Sequence, residues 1–159
     1  MQYSQGTVGR VFVLRLSDGD RLPGAIEEFA AEHGVSQAFC ALIGGADGGS
    51  QVVAGPEDGA VLPPNPMIAT IRGVHEAAAV GTIFPDAQGR PKLHMHAALG
   101  RGESTVTGCV RAGVDIWKIG EVVILEIAGT DMVRRIDPQT GFELLTGKED
   151  ALRSNVLKR

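Results

Sequence analysis

Two short runs on either side of a glycine-rich turn alternate so strictly that they leave the chain little choice of local structure. In Lys92-Leu-His-Met-His-Ala-Ala-Leu99 the apolar residues Leu93, Met95, Ala97 and Leu99 fall at every second position, with His94 and His96 between them. The run Thr105-Val-Thr-Gly-Cys-Val-Arg111 repeats the pattern, with Val106, Gly108 and Val110 apolar and Thr105, Thr107, Cys109 and Arg111 polar. A period of two marks a strand, because successive side chains leave a pleated backbone on opposite faces. The intervening Gly100-Arg-Gly-Glu-Ser104 predicts a hairpin turn. Apolar face then meets apolar face only in every second register; one such register sets Cys109 opposite His96, the next opposite His94.

Directly opposed residues have Cβ atoms about 4.5–5.5 Å apart, a span that one shared metal ion can bridge. Two imidazoles and a thiolate suit zinc, and three protein ligands leave a fourth position open, as in reactive sites. The candidate metal ligands are therefore His94, His96 and Cys109. No Cys-x-x-Cys pair is present, so a zinc-finger type of structural site is not expected. A plainer alternative for the same residues is a polar strand face at a subunit contact, with a small buried cysteine.

The rest of the chain predicts an α+β domain built on an antiparallel sheet. Strands are expected at residues 8–16, 36–43, 51–54, 67–73, 76–84, 119–127 and 131–136. One helix is expected at 22–33, with Pro23 in its first turn, Leu22, Ile26, Phe29 and Ala30 on one face, and Gly34 ending it. Cys40 lies in a doubly apolar strand and is assigned to packing. Residues 55–66 hold four prolines and form a surface loop. A single domain over 1–147 with a C-terminal tail at 148–159 is expected, since 159 residues are too few for two ordinary domains. The N-terminus carries no secretory signal pattern and no run reaches transmembrane length. The expectation is a cytoplasmic protein with reduced thiols and no membrane association. A formal net charge of −4 gives no electrostatic footprint for nucleic acid. There is also no nucleophile elbow, phosphate-cradling loop or dinucleotide fingerprint, so no reaction is assigned.

From about residue 9 to 145 the order of motifs resembles the plants-and-prokaryotes-conserved (PPC) domain, which follows the AT-hooks of plant nuclear proteins and stands alone in prokaryotes. The resemblance rests on the opening Val-Leu-Arg-Leu strand and helix, the strand ending in Ile43-Gly-Gly, Glu76 followed by Gly81-Thr-Ile83, the His94-Met-His96 pair, and Gly108-Cys-Val-Arg-Ala-Gly113. It implies a homotrimer, and in prokaryotic members a metal site of clustered histidines. His94 and His96 carry over, whereas Cys109 stands where the family usually has its third histidine, and Thr107 replaces a glycine. By the same analogy Glu76 lies near the cluster, where a carboxylate orients a ligand imidazole or serves as a catalytic general base; a solvated or intersubunit ion pair is the alternative, and the expected one for Glu121. His75 is expected on the opposite face at the surface, and Arg111 near His94, able to hold an anion.

The family also suggests DNA association. Gln88-Gly-Arg-Pro-Lys92 approximates an AT-hook but lacks its first arginine and sits in a turn, which argues for coincidence. The expected function is thus a trimeric metal-binding protein, with zinc the expected ion and a small polar or anionic ligand at its open site. A DNA-associated regulator is the alternative.

Overall fold

A computed structural model describes residues 1–147 and arranges them around one long antiparallel sheet. In chain order the elements are β1 (Thr7–Ser17), β2 (Arg21–Leu22), α1 (Gly24–Glu32), β3 (Ala38–Ala46), β4 (Gln51–Pro56), β5 (Pro66–Thr70), β6 (His75–Pro85), β7 (Pro91–Arg101), β8 (Ser104–Cys109), β9 (Val114–Ala128), β10 (Met132–Ile136) and β11 (Glu143–Gly147). The sheet runs β1-β9-β3-β6-β7-β8-β4-β5, with β2 added alongside β9, while β10 and β11 form a separate hairpin. The tail expected at 148–159 lies outside the described residues.

Alternation decides what the sheet buries. Leu16, Cys40, Leu42, Ile83, Leu93, Met95, Leu99, Val122 and Ile124 point to one face and join Ile26 and Ala30 of α1 in the core. Cys40 is completely buried there, and desolvation pushes its thiol up to about 12, which leaves it a packing residue. Gly81 of β6 stands opposite Met95 of β7. A Cβ on Gly81 would lie 2.6 Å from the His94 carbonyl oxygen, so glycine is what lets the two strands close up beneath the histidines. The other face carries Val13, Ile43 and Val80, exposed at 78%, 60% and 59%, and continues across β6 to His94 and His96.

Several boundaries depart from the sequence expectation for identifiable reasons. The helix starts at Gly24 and not at residue 22, because Arg21 and Leu22 pair with Asp115 and Val114 of β9. Strand β9 begins five residues earlier than its pattern suggested. Its alternation is broken at Lys118, whose φ of 63° lies inside a bulge between the Gly44 and Gly45 pairings. Strand β11 was not foreseen at all; it forms by pairing with β10, from Met132 opposite Gly147 to Ile136 opposite Glu143. His75, expected at the surface, is instead buried at 8% exposure, its Nδ1 3.0 Å from the Gly73 carbonyl oxygen; as the first residue of β6 it shares the inward face with Ala77 and Ala79.

Arg10 fastens the edge strand. It lies in the bulge between the Val8 and Val11 pairings, and its Nη2 and Nε donate to the Glu126 carboxylate at 2.6 and 2.8 Å, with its backbone N–H adding a third bond at 3.0 Å. The side-chain bonds from Arg10 are the main reason the Glu126 carboxyl drops from 4.5 to about 2. A carboxyl depressed on folding contributes stability above its unfolded pKa and loses it as pH falls through the folded value. Glu126→Gln should therefore melt at a lower temperature than wild type above about pH 4.5, and the difference should shrink to nothing towards pH 2, as followed by circular dichroism.

Candidate metal centre

The hairpin register is the one that sets His96 directly opposite Cys109, with Ala97 facing Gly108 and Leu99 facing Val106. His94 sits two residues along β7 on the same face, across from Thr82 of β6. Nε2 of His94 is 3.2 Å from Nε2 of His96, and the potential ligand atoms of His94, His96 and Cys109 all lie within 4.8 Å of one another. Tetrahedral zinc, with bonds of about 2.0–2.3 Å, would hold such atoms roughly 3.3–3.8 Å apart. The histidine pair already stands close to that range, and two imidazoles with a thiol are donors that suit the ion.

Each ligand is positioned by what lies behind it. Leu93, Met95 and Ala97 are buried in alternation with the histidines and fix the ring-bearing face outward. Cys109 is buried where β8 meets β4, opposite Val53. Its neighbour Gly108 permits that approach, because a Cβ there would come 2.5 Å from the Val53 carbonyl oxygen. The strand stops at Cys109, short of the expected residue 111. Val110 turns into the core within a 3-10 turn (Val110–Ala112), which Gly113 closes by donating its N–H to the Val110 carbonyl. Arg111 is thereby moved off the strand and lines the clefts beside the cluster.

Two clefts meet at this point, sharing His96, Cys109, Arg111 and Phe142. One, of about 350 Å³, runs under the proline-rich loop and is walled by Val53, Pro56, Pro64 and Pro66. The other, of about 730 Å³, is lined by His94, Arg134, Glu143, Lys92 and Glu27. Desolvation is the main cause that lowers the His94 pKa, followed by the charges of Arg134, His96 and Arg111. A lowered value keeps the imidazole neutral, the form that carries a lone pair for a metal.

Glu76 does not join the cluster within its own chain. It shares the exposed face but pairs with Gly100, four residues along β6 from Val80, the partner of His96. At about 3.3 Å per residue that is roughly 13 Å of strand. Glu121 stands further across the sheet, between Ile43 and Arg15. The AT-hook-like segment is folded into the turn between β6 and β7. Buried Asp86 accepts hydrogen bonds from the Gln88 and Arg90 N–H groups and from Arg90 Nε, so Arg90 is no free arm.

Sequence reasoning missed Arg134, which is 6% exposed and borders the His94 side of the larger cleft. The signal was available: Arg134 and Arg135 are adjacent in a strand, so period two must turn one of them inward.

Comparison with curated proteins gives no match. Among solved structures, a metal-containing protein of Archaeoglobus fulgidus is 24% identical, with a TM-score of 0.80 over 92% of this chain and 99% of its own. A plant- and prokaryote-conserved protein of Pyrococcus horikoshii is 20% identical, with a TM-score of 0.76 over 91% and 99%. A Bacteroides thetaiotaomicron protein provisionally named DNA-binding is 17% identical, with a TM-score of 0.70 over 89% and 96%. At these identities the likeness establishes the fold. The family model of the Plants and Prokaryotes Conserved (PCC) domain matches residues 3–128, and the chain belongs to that family.

Proposed function

We propose that this PCC-domain protein is a metal-binding homotrimer that holds zinc through His94, His96 and Cys109 and offers an open coordination position to a small polar or anionic ligand. The observation that carries the reading is the convergence of three donor atoms within 4.8 Å at the junction of two clefts. The metal content of the Archaeoglobus fulgidus relative supports it. When bound, the metal would supply Lewis acidity at the open position. The chain's own part is to present neutral His94 beside His96, to bury Cys109, and to border the open position with the proline-rich loop. A thiolate among the ligands favours zinc over harder ions, and its binding releases a proton.

The exposed apolar face of Val13, Ile43 and Val80 supports self-association, since a patch of this kind is unusual on a monomer. A catalytic role for Glu76 requires such an assembly, because within one chain the strand holds it away from the histidines. No described helix is long and apolar enough to cross a membrane. Two free thiols, at Cys40 and Cys109, suit the reducing cytoplasm, where we place the protein. A second reading, DNA association, draws on the provisional names of relatives from Bacteroides thetaiotaomicron and Ralstonia eutropha. Net charge and the folded Gln88–Lys92 turn weigh against direct contact.

Purified protein should contain about one zinc-like ion per chain by elemental analysis, lost in His94→Ala and in Cys109→Ala. Metal-free protein indifferent to chelators would refute the site. Sedimentation should give a trimer that Val80→Glu dissociates, because the substitution sets a charge on the apolar face. In a DNA titration at two salt concentrations, direct phosphate contact would appear as steep salt dependence; the expected result is no binding even at low salt.

A further inference from the structure

Arg134 is the most deeply buried cation in the described chain, and its hydrogen bonding is incomplete. Nη2 donates to Thr82 Oγ1 at 3.2 Å, while Nε is buried with no partner among the described residues. Thr82 is the register partner of His94, so the guanidinium lies beside the metal-ligand face. It is carried there by β10, which packs against β6. Leaving a buried charged donor unpaired costs more than leaving a neutral one. A native fold keeps such a group where something else completes it. Glu143 faces the same cleft and its charge favours the protonated guanidinium, yet it makes no close ion pair or hydrogen bond with Arg134 among the described residues. Arg111, exposed on the same cleft, likewise has no carboxylate partner among them. Lys92 at the rim is taken by Glu27 at 3.6 Å.

We propose that the cleft binds an organic carboxylate, its charged end on the Arg134 guanidinium with Arg111 alongside, and its apolar body under the proline-rich loop against Val53, Pro66 and Phe142. A guanidinium presents a fork of donors that matches a carboxylate. The choice of a singly charged headgroup follows from the surroundings, because a phosphate dianion would bring twice the charge against the Glu143 carboxylate that shares the cleft. The adjoining walls carry Val53, Pro56, Pro64, Pro66 and Phe142, which suit a hydrocarbon body. This deepens the open-site reading by naming its ligand class, and Arg134 does its part with or without the metal.

The test is calorimetric titration of the whole protein, after chelator treatment and again with zinc added, using benzoate, benzyl alcohol and inorganic phosphate as probes. Benzoate should bind saturably in both states, more tightly than benzyl alcohol or phosphate. Arg134→Met should weaken it by about tenfold or more, and Arg134→Lys, which keeps charge but loses the fork, should also weaken it. The melting temperature of Arg134→Met should hold or rise, since an unpaired buried charge is removed. Absence of benzoate binding, equal affinity for benzyl alcohol, tighter binding of phosphate, or unchanged affinity in a folded Arg134→Met protein would each overturn the proposal. Should Arg134→Met not fold, exposed Arg111→Gln serves instead: about threefold weaker benzoate binding is expected, and unchanged affinity overturns the proposal. Metal content is measured separately. A metal-free protein that binds benzoate would sink the zinc reading alone, and a zinc-loaded protein blind to benzoate would sink this one alone.

Discussion

The pairing of β7 with β8 is the constraint on which the rest of the structure depends. Leu93, Met95, Ala97 and Leu99 can enter the core only if β7 lies with those residues down, and that choice turns His94 and His96 up. Val106 and Gly108 make the same demand of β8, and Cys109 follows. A slip of one residue would reverse every side chain on the strand and bury two imidazoles without partners. The hydrophobic effect therefore enforces the ligand geometry, and no separate interaction has to hold the trio together. Gly81 and Gly108 add the fine adjustment, by letting neighbouring backbones approach where a methyl group would collide.

Around that fixed hairpin the cleft is divided by chemistry. Its proline-lined side is apolar because prolines give up backbone donors and present hydrocarbon rings. Its other side gathers Arg134, Arg111 and Lys92 with Glu143 and Glu27. Burial first, and then the charges of Arg134, His96 and Arg111, discourage protonation of His94 and leave its ring with a free lone pair. The second hairpin, β10–β11, supplies Arg134 and Glu143 of this charged side, so it contributes to the cleft despite standing apart from the main sheet.

How far the sequence could be read depended on whether a pattern was local. Alternation in β7 and β8 is a property of consecutive residues, and it marked the strands, the shared face and the grouping of His94, His96 and Cys109. The same logic located the buried Cys40 and the turn that holds Arg90. It stumbled where tertiary contacts overrule the pattern: the bulge at Lys118 hid the first third of β9, and Leu22 left its helix to pair with β9. His75 was misjudged as a surface residue because the inward face of β6 is otherwise alanine there, a weak signal of burial.

By itself the sequence determined the antiparallel α+β architecture, the family, and which side chains share a face with the histidines, because strand periodicity converts spacing into direction. It left open whether Cys109 faces His94 or His96, since both registers satisfy the same alternation. Tertiary structure decided for His96. Only the folded sheet could set Glu76 apart from the cluster and bring Arg134 from β10 to Thr82, because separations of that kind depend on strand order, and strand order is fixed by packing among distant segments.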